Sequence, residues 1–211
     1  MDSARIAELL QPYLEKTDGG REVLSPQQLQ QLSDYLDLLL KWNKRTNLTS
    51  VRGPDVIVTR HFGESLFLAR HISGKAHTAI DVGSGAGFPG IPLKIYAPHL
   101  VVTLIESQNK KATFLNEVIR KLTLTDINVF PGRAEDSQLK ADLVTWRAVE
   151  SFDQALPTAA KLLNPNGWLA LLIGTGQVNA ARALLPSFAI EVTPVPESRE
   201  LILVVASRNQ D

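Results

Sequence analysis

Ala79-Ile80-Asp81-Val82-Gly83-Ser84-Gly85-Ala86-Gly87-Phe88-Pro89-Gly90 is the stretch that decides the fold of this chain. A short apolar run carrying Asp81 enters a glycine-dense turn, and Pro89 to Ala97 beyond it reads as a short helix. Pro89 and Pro92 fall in a first turn that has no need of their missing N–H groups. Strand, turn and helix make the opening of a nucleotide-binding βαβ unit, in which glycines let backbone N–H groups come close to a ligand with no Cβ in the way.

The dinucleotide fingerprint wants G-x-G-x-x-G directly after the strand. Counted from Gly83, the third glycine position is Phe88 and the match fails; counted from Gly85, the string fits but starts late and encloses Pro89. What remains is a carboxylate ahead of three alternate glycines, Asp81-x-Gly83-x-Gly85-x-Gly87. That pattern resembles motif I of class I S-adenosylmethionine-dependent methyltransferases, whose ligand has no diphosphate to cradle. Glu106 lies 23 residues after Gly83, at the end of the next apolar run Val101–Ile105. A carboxylate there is placed to accept hydrogen bonds from ribose hydroxyls. Either feature alone is weak, since glycine turns are often only tight turns and strand-end acids only solvated. Together, at this spacing, they point to a site for S-adenosylmethionine.

Composition sets the outer bounds. The 211 residues make one large domain, or one domain with an N-terminal extension, and a hydrophobic content of 44% is ample for a core. No apolar run approaches the roughly 20 residues of a membrane span, and the acid-bearing N-terminus lacks the pattern of a signal peptide, so a cytoplasmic protein is expected. Cysteine is absent, which removes disulfides, thiolate metal ligands and any cysteine nucleophile. No two of His61, His71, His77 and His99 stand at metal-ligand spacing, so no metal is expected. Net charge is zero, but residues 1–40 hold three basic and seven acidic residues while 41–78 hold seven and two. A segment of the second kind can supply phosphate contacts, although a solvated helix surface explains it as well.

In chain order, a short amphipathic helix is expected at 3–14, then a breaker at Thr17-Asp18-Gly19-Gly20. Ser25-Pro26 opens a strong helix to about Lys44, with Leu29, Leu32, Leu36, Leu39 and Leu40 on one face. Another helix covers Asp55–Ile72 after Gly53-Pro54. From there strands at 78–82, 100–105, 127–131, 141–146, 167–173, 189–194 and 200–206 alternate with helices at 90–97, 108–122, 151–163 and 176–185. The pattern predicts a doubly wound α/β sheet. Only Pro194–Arg199 separates the last two strands, too few residues for a crossover helix, so these two pair antiparallel. The fold class is therefore α/β: a Rossmann-like, mostly parallel seven-stranded sheet with one antiparallel strand, of the class I methyltransferase kind. A helical extension over 1–75 precedes the methyltransferase domain over 76–211.

Ligands of such sheets sit beyond the carboxyl ends of the strands, here Asp81–Gly87, Glu106, Pro131–Glu135 and Trp146-Arg147. Ala134 and Glu135 are placed for the adenine's polar edge; Arg147 is either a surface ion-pair partner or a contact to substrate or cofactor. Methyl transfer from a sulfonium is mainly positioning. C5-pyrimidine methylation needs the cysteine this chain lacks. Adenine-amino methylation goes with an Asp/Asn-Pro-Pro-aromatic run after strand four, where this chain has Trp146-Arg147-Ala148-Val149. Guanine N7 has a free lone pair and needs no general base, so it fits the absence of an acid–base pair. Another RNA, a protein or a small molecule stays open as acceptor, as does a binding module without transfer activity.

Several strings closely resemble the bacterial glucose-inhibited division protein B family: Lys41-Trp42-Asn43-Lys44, Asn47-Leu48-Thr49, Arg60-His61 with Ser65, Gly87-Phe88-Pro89-Gly90-Ile91-Pro92-Leu93, Lys110-Lys111 with Phe114-Leu115, Arg133-Ala134-Glu135 and Arg147-Ala148. The resemblance runs from about residue 25 to the final strand. It implies methyl transfer from S-adenosylmethionine to N7 of one guanine in small-subunit (16S) ribosomal RNA, on naked RNA or the ribosomal subunit, by a monomer. It also implies cofactor contacts from Asp81, Gly83, Ser84, Gly85, Gly87, Phe88, Glu106, Ala134, Glu135 and Arg147, with Arg147 also as the catalytic candidate. Lys41, Lys44, Arg45, Asn47, Arg60 and His61 would face RNA. The chain departs from the family at Glu64, where Asp is usual, at Trp146, where a small polar residue is usual, and at Ile173-Gly174, where a lysine is usual.

Overall fold

A computed structural model describes residues 1–15, 23–72, 74, 76–147 and 152–209. The Thr17–Gly20 breaker and the segment between Arg147 and Phe152 lie outside them. Helix α1 (Ser3–Leu14) is capped by Asp2, whose carboxylate accepts the Arg5 N–H. Helix α2 (Pro26–Thr46) starts with a capping box, in which Ser25 Oγ accepts the Gln28 N–H and Gln28 Oε1 accepts the Ser25 N–H. The same Gln28 amide donates to the Ile95 carbonyl at 2.8 Å and so ties α2 to the α/β domain. The single helix expected over 55–72 is a composite: α3 (Pro54–Ile57), a π-helical segment Val58–Gly63, and α4 (Glu64–Ile72). The wider turn carries Arg60 and His61, in keeping with the frequent placement of such bulges at functional sites.

The sheet follows: β1 (Thr78–Val82), α5 (Gly90–Tyr96), β2 (Val101–Ile105), α6 (Asn109–Lys121), β3 (Ile127–Phe130), β4 (Ala141–Arg147), α7 (Phe152–Lys161), β5 (Leu163–Gly174), α8 (Val178–Leu184), β6 (Phe188–Pro194) and β7 (Leu201–Arg208). Strand order is β3-β2-β1-β4-β5-β7-β6, parallel except for β7, which runs antiparallel to both β5 and β6. β5 begins earlier than its hydrophobic run suggests. Leu163 pairs with Ala141, and the Asn164-Pro165-Asn166-Gly167 segment bulges out before Trp168 meets Leu143.

Alternation along the strands separates two cores. Leu104, Leu143, Leu172 and Leu203 face a layer built by α1, α2, α4, α5 and α6, with Ile6, Leu10, Leu32, Leu36 and Leu39 fully buried in it. Ile80, Val144, Trp146, Leu171 and Val204 face α7 and α8. The N-terminal helices are thus the cover of one sheet face. Burying each of those leucines stabilises by about 1.5–3 kcal/mol, well above the few tenths that surface helix pairs contribute, so packing and not propensity holds α2 in place.

Asp142 pins the start of the sheet. Its carboxylate accepts from the Asn164 amide (2.8 Å), the His77 and Thr78 N–H groups and the Thr78 hydroxyl. Those bonds, the Asn164 amide first, hold its pKa down to about 2 against the opposing effect of burial. Asp142→Ala is expected to cost about 2–3 kcal/mol in urea unfolding at neutral pH. Because the folded pKa is depressed, the parent's advantage is full above the unfolded carboxylate's pKa near ~4 and fades as pH falls toward about 2.

Candidate active site

Beyond the carboxyl ends of β1, β2 and β3 a cavity of about 370 Å3 opens, lined by Gly83, Glu106, Ser107, Ala134, Glu135 and, from α7, Ala155 and Thr158. The turn from Gly83 to Gly87 has φ values of 66°, 59° and 95° at its three glycines; Gly83 lines the cavity, whereas Gly85 and Gly87, also expected as cofactor contacts, lie outside its lining. At Gly87 a Cβ would lie 2.5 Å from the Tyr35 hydroxyl and 2.6 Å from Ile91, so the turn passes α2 at a distance only glycine permits. Tyr35 donates its hydroxyl to the Ala86 carbonyl, closing that approach.

Asp81, expected among the cofactor contacts, faces the other way. It is 1% exposed; Oδ2 accepts the Gly90 N–H (3.1 Å) and Oδ1 accepts the Thr145 hydroxyl (2.9 Å). Burial raises its pKa to about 6 despite those bonds. The carboxylate therefore shapes the turn from beneath and does not reach the cavity. Ser84 is similarly turned in, its hydroxyl donating to the Asp81 carbonyl and its N–H to the Ile105 carbonyl. The Phe88 ring also points away, stacked on His61 (4.7 Å between centroids) and Tyr35 (5.4 Å) in the helical layer. These three act on the cavity through the backbone they position.

Glu106 is 5% exposed and accepts the Gly85 N–H at 2.8 Å and the Gln108 N–H at 2.7 Å, one on each oxygen. A carboxylate offers about four acceptor positions, so each oxygen keeps one for a hydroxyl. A cavity bounded by a side-chain-free turn and a carboxylate with spare acceptors fits an adenosyl ribose, and Ala134 and Glu135 lie beside it.

Arg147 is not part of that lining. Trp146 lies opposite Val82 in the sheet, which puts Arg147 on the flank of the glycine turn. There it pairs with Glu64 at 2.5 Å, the side chains 12% and 5% exposed, so the ion pair is buried and not a surface one. Burial pushes the Glu64 pKa up while Arg147 and Arg60 pull it back.

The expected RNA-facing set divides. Lys41, Lys44 and Arg45 are exposed at the end of α2, around a cleft of about 380 Å3 with Trp42 and Thr46. Asn47 closes α2 in the left-handed region (φ 48°) and accepts from Arg52 at 3.0 Å. Arg60 is exposed, whereas His61 shares a 2.8 Å hydrogen bond with the Thr49 hydroxyl beneath it. Burial first, then Arg147 and Arg60, lowers the His61 pKa to about 3, so it is a neutral packing residue and offers no positive charge to phosphate. Sequence reasoning missed Thr145, Tyr35, Ala155 and Thr158. For Thr145 a signal existed, a lone hydroxyl in an apolar strand registered opposite Asp81; the others depend on packing alone.

The fold and this cavity together define a class I S-adenosylmethionine-dependent methyltransferase. Among solved structures, the ribosomal protein L11 methylase of Lactobacillus delbrueckii subsp. bulgaricus is similar with TM-score 0.61 and 19% identity over 72% of this chain and 80% of that one. M. jannaschii TYW2 in complex with AdoMet is similar with TM-score 0.59 and 20% identity over 71% and 76%. The family model described as rRNA small subunit methyltransferase G matches residues 28–195. Proteins named ribosomal RNA small subunit methyltransferase G are 38% identical in Chloroflexus aggregans, over 90% of this chain and 87% of the relative, and 34% identical in Bacillus pumilus, over 89% and 85%. This chain belongs to the rRNA small subunit methyltransferase G family.

Gly83→Asp is expected to abolish S-adenosylmethionine binding in calorimetry, since a side chain there enters the donor space and strains a left-handed residue. Glu106→Gln should weaken binding about tenfold by giving up charge-assisted ribose bonds. The His61 ring should show no protonation by NMR between pH 8 and 5. Its depressed pKa also means that folding stability declines as pH falls from the unfolded value near ~6.5 toward about 3.

Proposed function

We propose that this enzyme methylates N7 of a guanine in small-subunit ribosomal RNA, with the donor bound against Gly83, Glu106 and Ala134-Glu135. The observation that carries this reading is the cavity over the left-handed glycine turn, closed by the buried Glu106 carboxylate, in a chain of this family. When bound, S-adenosylmethionine supplies a methyl group on a positively charged sulfur. The guanine N7 lone pair takes that methyl by in-line displacement, and the charge passes to the purine without loss of a proton. No residue has to act as a base, which agrees with the chemistry of the site: its buried acids are committed to backbone N–H groups (Glu106), to a hydroxyl and an N–H (Asp81) or to a guanidinium (Glu64). The remaining work is orientation and exclusion of water, for which the packed turn is suited.

RNA is held, in this reading, by the exposed Lys41, Lys44 and Arg45 at the end of α2 and by Arg60 beside the glycine turn. The reading includes a monomeric cytoplasmic enzyme that needs no metal. Among the described residues no helix is long and apolar enough to cross a membrane.

Lys44→Ala with Arg45→Ala should weaken binding to unmodified small-subunit RNA and leave donor affinity unchanged. The slope of log affinity against log salt should fall by roughly 0.7 for each phosphate no longer neutralised. Mapping the methylated nucleotide in RNA treated with the enzyme tests the reaction itself: methyl at a guanine N7 supports it, and methyl at another atom or on protein alone refutes it.

A further inference from the structure

The last two turns of α2 carry a feature that the donor cavity does not use. Residues 40–46 hold Lys41, Lys44 and Arg45 and no acid. All three cations are exposed, and none makes an ion pair among the described residues. Cations at this end of a helix complement its dipole, which accounts for the charges. It does not account for Trp42, which is only half-buried and lines the cleft of about 380 Å3 together with them. The indole is held in one orientation by α6. Its Nε1 donates to the Glu117 carboxylate at 3.0 Å, and the ring meets Phe114 at 5.5 Å between centroids, tilted by 60°. Phe114 in turn meets Tyr35, and Tyr35 stacks on Phe88, so three ring contacts lead from the cleft to the glycine turn.

We propose that this cleft takes one unpaired nucleotide of the RNA substrate, its base stacked on the Trp42 indole and its flanking phosphates on Lys41, Lys44 and Arg45. The proposal rests on the RNA-methylation reading above and adds that the RNA is single-stranded where it meets α2. A base inside a duplex has both faces covered by its neighbours, whereas an unpaired base has a face to offer an indole. Stacking accepts any of the four bases, because each has a π face, so Trp42 holds the strand without reading its sequence. The indole N–H is already given to Glu117 and reads no base edge. Glu117 brings one negative charge to the indole's edge against the three positive charges of the cleft, and the balance still favours phosphate. Because only three ring contacts separate the cleft from the glycine turn, the stacked nucleotide lies a few positions from the methylated base. A partner that met the cations alone would leave Trp42 without effect on binding.

The test is a binding titration of the full chain with four probes: unmodified small-subunit RNA, single-stranded oligouridylate, the same strand paired into a duplex, and a strand of equal length without bases. Wild type, Trp42→Phe and Trp42→Leu are compared, with donor affinity from calorimetry and thermal midpoints measured alongside. Trp42→Leu should weaken binding to the RNA and to oligouridylate by about 10- to 100-fold, the loss of one stacked base, and leave binding to the duplex unchanged. Trp42→Phe, which keeps a ring, should stay within about fivefold of wild type. In both variants the slope of log affinity against log salt should hold its wild-type value, since stacking releases no counterions, and donor Kd should stay within about threefold. Wild type should prefer oligouridylate to the strand without bases, and Trp42→Leu should not. Trp42→Leu binding RNA as tightly as wild type, or losing salt slope together with affinity, would overturn the proposal: Trp42 would then only pack, or only place the cations. Should Trp42→Leu not fold, the comparison of oligouridylate with the base-free strand on the unaltered protein decides. If wild type binds none of these RNAs, it is the RNA-methylation reading that fails.

Discussion

The buried carboxylate of Asp81 is the constraint on which the rest of the site depends. One oxygen takes the N–H of Gly90, the first residue of α5, and the other takes the hydroxyl of Thr145 on β4. Three elements are thereby fixed around one side chain: the end of β1, the start of the following helix and the neighbouring strand. A Cβ at Gly90 would stand 2.4 Å from Leu104 and 2.7 Å from Asp81 Oδ2, so the helix can approach this closely only through glycine. Burial works against the charge, as the raised pKa of about 6 records, and the two hydrogen bonds offset part of that cost. What results is a turn fixed from beneath, with Gly83 facing the cavity and the Gly85 N–H held by Glu106.

The helical layer is the second support. Tyr35 from α2 stacks on Phe62 from the π-helical segment and on Phe88 from the turn, and His61 stacks on the other side of that cluster. The glycine turn is therefore held from below by Asp81 and from the flank by an aromatic stack that belongs to the N-terminal helices. This is why residues remote in sequence act on the cofactor cavity without lining it, and why the extension is part of the enzyme's core and not an appendage.

Two differently built regions meet at the turn. On one side lies the cavity lined by Glu106; on the other lies the buried Glu64–Arg147 ion pair, with the exposed Arg60 near it. Methyl transfer requires donor and acceptor to approach along one line, so positioning by packed backbone carries most of the work in this class of enzyme. The exposed cations at the end of α2, Lys41, Lys44 and Arg45, lie around a separate cleft with Trp42 and Thr46.

Local pattern determined most of the fold. Alternating apolar strands and helical periods located all seven strands, the short last connection forced the antiparallel pair, and Ser25-Pro26 marked the start of α2, because each of these depends on neighbours in the chain. The same holds for the positions of Gly83 and Glu106, which the ends of β1 and β2 bring to one cavity. Tertiary structure alone decided where side chains point. Asp81, Ser84 and Phe88 turn beneath the loop because their partners, Gly90, Ile105, Thr145 and Tyr35, are brought there by other elements. His61 loses its charge because burial and two arginines surround it, and Arg147 meets Glu64 only because the helical layer folds back over β4. Motif spacing reports distance along the chain, whereas burial and charge depend on distance through space.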